Sequence, residues 1–292
     1  MNWQLKSVAF RVLAHVPFGS QLHFLAQRHV VRSFPRPAAR LDALWAKAQF
    51  FVERLAHHAP GSVLADATFV EIGAGRDLSV PIALRFAGVG SVWSVDVIRL
   101  AKIDLVRHAS RHMAGRAGCA APAVRTWDDV ESFGIHYRAP ARLSSLELPP
   151  GSVDCICSNE VLEHLDRASL DALAADTRRL LKPTGIAVHT IDYSDHYARS
   201  DSRIDRFNFL TFDDDAWRPH NSPLQYVNRL RHSDYVDTFR SHGLTVLEEV
   251  VTPGVPVTTT PDRIARQFQP YSTADLFGLH GRLVVAPMMD RR

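Results

Sequence analysis

The chain has 292 residues, 46% of them hydrophobic and 22% charged, the balance of a globular protein with a sizeable core rather than a disordered or fibrous one. Its 34 Lys and Arg face 31 Asp and Glu, a formal net charge of +3, which is too even to indicate a nucleic-acid partner. Three cysteines, Cys119, Cys155 and Cys157, are too few for a disulfide framework and contain no C-x-x-C pair for a structural zinc.

Residues 1–60 read as helices. Leu5, Val8, Ala9, Val12, Leu13 and Val16 recur at helical spacing, with Trp3 and Lys6 beside them. Arg11 interrupts the apolar run and no small-residue cleavage pattern follows, so the segment does not read as a signal peptide. The first reading is a helix packed on the domain; a peripheral membrane contact and a lid over a substrate are the other two. A second helix runs through "SQLHFLAQRHVVRSF" until Pro35–Pro37 breaks it, and a third covers "AARLDALWAKAQFFVERLAHHA" up to Pro60-Gly61. His57 and His58 end that third helix, where they complement its dipole. No apolar run approaches the roughly 20 residues needed to span a bilayer, and the sparse cysteines fit a cytoplasmic protein.

After residue 60 the period changes. "ATFVEIG", "SVWSVDV", "SVDCICSN" and "GIAVHTID" read as strands, with helices at "LSVPIALRFAG", "RLAKIDLVRHASRHM" and "RASLDALAADTRRLL". Such alternation builds a parallel sheet covered on both faces, whose ligands lie beyond the carboxyl ends of the strands. Cys155 and Cys157 alternate, so they share one face. Residues 193–231 break the pattern with a mixture of aromatics, His and Asp that is too aromatic for disorder. Regularity returns with a helix at "SDYVDTFRSHG", capped by Ser233 or Asp234, a strand at "LTVLEEVV" and a last strand at "GRLVVAPM".

The loop "EIGAGRD" carries the first motif. Gly73 and Gly75 satisfy two positions of the dinucleotide fingerprint, but Leu78 stands at the third, and no G-K-[ST] follows for a P-loop. Glu71 at the strand end favours a cationic or hydroxyl-rich ligand over a phosphate. S-adenosylmethionine is such a ligand, with an ammonium, a sulfonium, a carboxylate and a ribose diol. Glycines at 73 and 75 let backbone pass close to its methionine part. Asp96 ends the next strand, 23 positions after Gly73, where an acid can accept hydrogen bonds from both ribose hydroxyls.

With these residues the sequence resembles the class I S-adenosylmethionine-dependent methyltransferases, most closely the type-11 subgroup. "VEIGAGRD" is similar to the E/D-x-G-x-G-x-G motif, with Asp77 for the third glycine, and "VWSVDV" to the second strand with its ribose-binding acid. "LPPGSVDCICSNEVLEHL" resembles the fourth-strand motif, and "RRLLKPTGIAVHTID" the Leu-Lys-Pro-Gly-Gly turn, with Thr184 for its first glycine. The resemblance covers about residues 63–192. It implies a Rossmann-like, doubly wound seven-stranded sheet with the last strand antiparallel. In that frame residues 1–60 are a helical N-terminal extension, and 61–292 the methyltransferase domain, with 193–231 as an acceptor-side insertion after the fifth strand. The resemblance also implies a donor lying across Glu71, Gly73, Ala74, Gly75, Asp77, Asp96, Val97, Asn159 and Glu160, with S-adenosylhomocysteine as product. The acid that often holds the adenine amine is missing from "IHYRAPARLSSLELP", which leaves Arg142 or a backbone amide to cover the base.

Methyl transfer is an in-line displacement, for which an enzyme aligns the nucleophile and removes its proton. Candidates lie on the loops after strands four and five: Asn159, Glu160 and His164, then Asp192, Tyr193, Asp195 and His196. Glu160 and His164 are four apart, which predicts one helical face. His164 is a general base, or else a ring bonded to backbone beneath the pocket. His196 and His220 lie on the insertion, open to a substrate or to solvent, and His189 reads as a core histidine. Asp213, Asp214 and Asp215 read as a helix start or solvated turn, and no metal is expected. Phe207, Phe209, Phe212, Trp217 and Tyr226 either line an acceptor pocket or form a local core. The expected activity is S-adenosylmethionine-dependent methylation of a small-molecule or glycan-like acceptor, at oxygen ahead of nitrogen or carbon. A protein that binds the donor without transferring methyl is the non-enzyme alternative. A nucleic-acid substrate is disfavoured, because "SNEVLEHL" stands where N/D-P-P-Y/F would. A nicotinamide oxidoreductase is disfavoured by Leu78.

Overall fold

Seven strands form one sheet in the computed structural model, which describes residues 1–288. They are β1 (Thr68–Ile72), β2 (Ser91–Val95), β3 (Ile135–Arg138), β4 (Val153–Asn159), β5 (Leu181–Asp192), β6 (Leu244–Pro253) and β7 (Gly278–Pro287). The order is β3-β2-β1-β4-β5-β7-β6, and β7 runs antiparallel to both of its neighbours. Strand order reverses between β1 and β4, so the crevice beyond their carboxyl ends is where a ligand sits in this topology. The expected Rossmann-like, doubly wound architecture is the one observed.

The helices are α1 (Trp3–His15), α2 (Gly19–Leu25), α3 (Ala38–His58), α4 (Ser79–Phe86), α5 (Ile103–Ala117), α6 (Trp127–Ser132), α7 (Arg167–Leu180), α8 (Asp214–Trp217), α9 (His232–Ser241) and α10 (Thr273–Leu276). Strand alternation sorts side chains between the two faces of the sheet. Phe69, Cys155 and Cys157 point to one face, with Leu41, Phe51 and Leu55 of α3 and Ile82 of α4. Val70 and Ile156 point to the other, against Leu170 and Leu173 of α7 and Val236 and Phe239 of α9. The helical segment 1–60 therefore divides, since α3 belongs to the main core while α1 and α2 do not.

Residues 193–231 fold into short 3-10 turns and α8, and their aromatics form a third core. Phe207, Phe209 and Trp217 are buried there with Trp3, Phe268 and Phe277, and Phe212 packs against them. For Phe207, Phe209, Phe212 and Trp217 the local core is the observed reading, while Tyr226 lies outside that core and is half-buried. Helix α9 begins at His232, so Ser233 and Asp234 lie inside it; Asp234 Oδ2 accepts from the Arg231 N–H at 2.8 Å, closing the first turn. Helix α6 lacks a periodic signal because it is short, and a Thr126–Asp129 capping box starts it.

Helix α1 is packed on the domain, but not by its apolar stripe. Trp3 and Ser7 face inward, Trp3 among Tyr197, Phe212 and Trp217. Leu5, Val8, Val12 and Val16, on the opposite face, are 67%, 44%, 56% and 40% exposed. The inward face wins because the bulky Trp3 fills the insertion's core and the Trp3 N–H donates to Asp201 at 2.9 Å.

Candidate functional site at the carboxyl ends of the strands

From β1 the chain turns through Gly73 (φ +86°) and Gly75 (φ +64°) into α4. A Cβ on Gly73 would stand 2.4 Å from Val161 Cγ2, so the β4 loop itself demands glycine there. At Gly75 a Cβ would meet nothing within 4 Å; its glycine serves the positive φ and faces open space. The glycine at 73 thus clears Val161 as well as lining the space beyond it. Ala74 is buried. Asp77 is nearly buried and paired with Arg36, 2.7 Å from its Nε, while the Arg76 guanidinium lies 4.4 Å from the Phe24 ring. Residues before α3 therefore hold the glycine loop from outside.

Behind the loop, Glu71 accepts from Ser94 Oγ at 2.6 Å. Burial pushes its carboxyl up to about 8; the Ser94 bond opposes the shift, and the nearby Asp96 and Asp77 add to it. Asp96, half-buried at the end of β2, accepts from the Gly75 N–H at 3.3 Å and the Ile98 N–H at 3.1 Å. Burial raises its pKa against these bonds. A cavity opens beside it, walled by Gly73, Val97, Leu143, Val161 and Leu173 and bordered by Arg142. A cavity of about 810 Å³ lies at the other end of the sheet near Asp154 and Lys182, where β4 and β5 begin, away from the switch point.

Beyond Val161 is a rim built from the loops after β4 and β5. Thr190 Oγ1 donates to Asn159 Oδ1 at 3.1 Å, and the Glu160 N–H donates to the Thr190 carbonyl at 2.8 Å. Glu160 has φ +55°, uncommon for a side-chain-bearing residue, and Leu162–His164 is a 3-10 turn. Glu160 and His164 therefore do not share a helical face, because the left-handed residue turns the chain before the short helix begins. The His164 Nδ1 bonds the Tyr226 carbonyl at 2.6 Å, and its ring centroid lies 5.3 Å from that of His196. Desolvation lowers the His164 pKa, partly opposed by that bond. His196 Nε2 stands 3.5 Å from Asp192 Oδ2, and Arg199 pairs with the same oxygen. Burial alone would raise the Asp192 pKa, but the nearby His196 ring, the Ser194 N–H bond and the Arg199 charge hold it well below the usual carboxylate range.

The structure thus brings Glu160, His164, Asp192 and His196 to one rim. Other candidates lie elsewhere or do structural work. Asp195 accepts from the Tyr197 N–H at 2.8 Å and Asn208 Nδ2 at 3.1 Å, and burial pushes it up to about 6. The Tyr193 hydroxyl bonds His232 Nδ1 at 2.7 Å. His189 bonds Ser158 Oγ at 2.8 Å and stacks on Phe239, with burial lowering its pKa to about 3. His220 bonds Ser7 Oγ at 2.8 Å beside Trp3. Asp213 caps α8, while Asp214 pairs with Arg229 and Asp215 with Arg218. His58 bonds Glu248 Oε1 at 2.8 Å across the sheet edge, a specific partner in addition to the helix dipole.

Three side chains at or behind the site had escaped notice. Glu163 is hidden inside "EVLEHL" as a buried neighbour of His164. Arg199 follows Asp192 by seven positions and carries a legible charge signal. Arg36 meets Asp77 across 41 positions, a separation no local pattern encodes.

The family model for a methyltransferase domain matches residues 23–249. Among solved structures, the chain is similar to geranyl diphosphate C-methyltransferase from Streptomyces coelicolor A3(2), in complex with Mg2+, geranyl diphosphate and S-adenosyl-L-homocysteine. The identity is 16%, over 83% of this chain and 79% of that one, with a TM-score of 0.47. It is also similar to a SAM-dependent methyltransferase from Methanosarcina mazei, at 14% identity over 78% and 95% of the two chains and a TM-score of 0.46. No protein of curated function matches the sequence.

Proposed function

Because this chain belongs to the methyltransferase-domain family, we propose that it transfers methyl from S-adenosylmethionine to a hydroxyl of a small-molecule or glycan-like acceptor. The observation that carries the reading is a juxtaposition at the switch point. Val161 walls the Asp96 cavity, and the Glu160–His164–His196 rim begins on either side of it. The donor supplies a methyl carbon activated by its sulfonium. Asp96 accepts from the ribose hydroxyls, and Arg142 and the Leu143–Ser144 backbone cover the adenine against the apolar wall. Gly75, in front of open space, leaves room for the methionine end. Glu160, His164 and His196 position the acceptor hydroxyl and take its proton. Oxygen is preferred to nitrogen or carbon because imidazoles and carboxylates suit hydroxyl deprotonation.

Calorimetric titration with S-adenosylhomocysteine, with NAD as control, tests the donor site. One-to-one binding of the homocysteine compound alone is expected, followed by a mass gain of one methyl on hydroxylated acceptors. Binding of NAD, or of neither compound, overturns the reading. Donor binding with no acceptor methylated favours the non-enzyme alternative.

The exposed face of α1 belongs to the same proposal. Arg11, Arg32 and Arg40 are exposed and precede the first acidic residue, Asp42. Together with exposed Leu5, Val8, Val12, Phe18 and Leu22, they fit an anionic lipid surface, met in the plane of its headgroups. Among the described residues no helix is long and apolar enough to cross a membrane.

A further inference from the structure

Glu163 is 1% exposed, yet neither of its carboxylate oxygens has a hydrogen-bond partner of normal geometry. The His196 side chain is 10% exposed, and its Nε2 is likewise buried without a hydrogen-bond partner, Asp192 Oδ2 being 3.5 Å away. Buried polar groups left unpaired destabilise the fold unless a ligand satisfies them. His164 completes the cluster: its Nδ1 is committed to the Tyr226 carbonyl, which leaves Nε2 as the nitrogen free to ligate. One ligand atom from each of the three lies within 4.8 Å of the others.

We propose that Glu163, His164 and His196 form a binding site for a divalent transition-metal ion, with its open positions toward the acceptor. Two imidazole nitrogens and one carboxylate oxygen suit zinc, cobalt or manganese, and are too few oxygens for calcium or magnesium. Tetrahedral ligand atoms about 2.1 Å from a common ion stand about 3.4 Å apart, so the three need to close by up to about 1.4 Å, within reach of side-chain rotation. Asp192, paired with Arg199, stands 3.5 Å from the same His196 nitrogen and borders the site as a neighbouring negative charge. The other candidate cluster among the described residues, His57, His58 and Glu248, is already satisfied, since Glu248 holds both His58 and Arg54.

This inference rests on the proposed acceptor side and reassigns the proton that the imidazoles take there. With the ion present the imidazoles are ligands, and the acceptor hydroxyl loses its proton to solvent because an adjacent cation lowers its pKa. The test is titration of the metal-stripped full chain with Co2+, read by its visible absorption, and with Zn2+ by calorimetry. Expected is one equivalent per chain, weakened at least tenfold by Glu163→Gln, by His196→Ala and by His164→Ala. His164→Ala removes an exposed side chain and so disturbs the core least of the three. His58→Ala should leave uptake unchanged. No uptake by the wild-type chain, uptake indifferent to the three changes, or uptake lost in His58→Ala overturns the site. S-adenosylhomocysteine affinity, measured on the same samples, separates this failure from failure of the donor site.

Discussion

The glycine loop and the rim above β4 and β5 meet at Val161, yet they are built by different means. The loop is a backbone device. Two glycines at positive φ, a strand end and Asp96 accepting from the Gly75 amide set its shape within about one βαβ unit. The rim is a side-chain device. His164 is held by Tyr226 and Asp192 by Ser194 and Arg199, and the segment that supplies these partners and His196 has its own aromatic core. Local backbone geometry can be written in a short motif, whereas a rim held by distant partners cannot.

If the two regions are separable, damage to one should leave the other working. The largest effect is expected from Trp217→Ala. Trp217 is buried at the centre of the third core, against Trp3, Tyr197, Phe209 and Phe212. Removing such a side chain costs about 3–5 kcal/mol. Denaturant unfolding should show that loss, and acceptor turnover should fall, while S-adenosylhomocysteine affinity stays within about threefold. A parallel loss of that affinity would break the comparison.

Next comes Glu71→Gln, at the donor end. The unfolded carboxyl titrates near 4.5 and the folded one near 8, so between those values the folded state holds a proton that the unfolded state releases. The stability contributed by Glu71 is complete below pH 4.5 and is lost as pH rises through 8. Gln does not titrate, and it still accepts from Ser94. The variant should therefore gain on wild type as pH rises, levelling off above pH 8 at on the order of 2–4 kcal/mol. A difference that does not change between pH 5 and pH 9 would show that Glu71 is not held neutral.

Asp96→Ala is the mirror of Trp217→Ala. It should weaken S-adenosylhomocysteine binding by about 1–3 kcal/mol, the scale of unpaired polar groups, with unfolding midpoints little changed. Unchanged affinity in a folded variant would remove Asp96 from the donor site.

Much of the fold was legible because the β-strand period, the Gly73-x-Gly75 turn and the strand-end placement of Asp96 are local. Asp77 was visible as a departure, but its partner Arg36 was not, since chain folding alone brings them together. The helical spacing of Glu160 and His164 misled because one left-handed residue cancels it. The insertion's aromatics could not be divided between pocket and core from sequence, since the deciding partner is Trp3, at the other end of the chain. Trp3 also overturned the expected packing of α1, because helical periodicity identifies a stripe and not the surface it meets.

That stripe yields the smallest effect and the sharpest question about the rim. Helix α1 is seated on the insertion by Trp3 and carries Leu5, Val8, Val12 and Val16 outward. If this face meets lipid, it is the rim and not the Asp96 cavity that is tethered to the membrane. The protein should then sediment with phosphatidylglycerol vesicles, weakly with phosphatidylcholine, and less as salt rises. Val12→Asp removes one apolar contact and adds a repelled charge, so partitioning should fall by about 1 kcal/mol, roughly fivefold. Asp96→Ala should sediment like wild type, because its cavity lies on the far side of Val161 from the rim. Equal binding to both vesicle types, or none to either, would return the face to ordinary surface and leave the third core as the whole reason for α1.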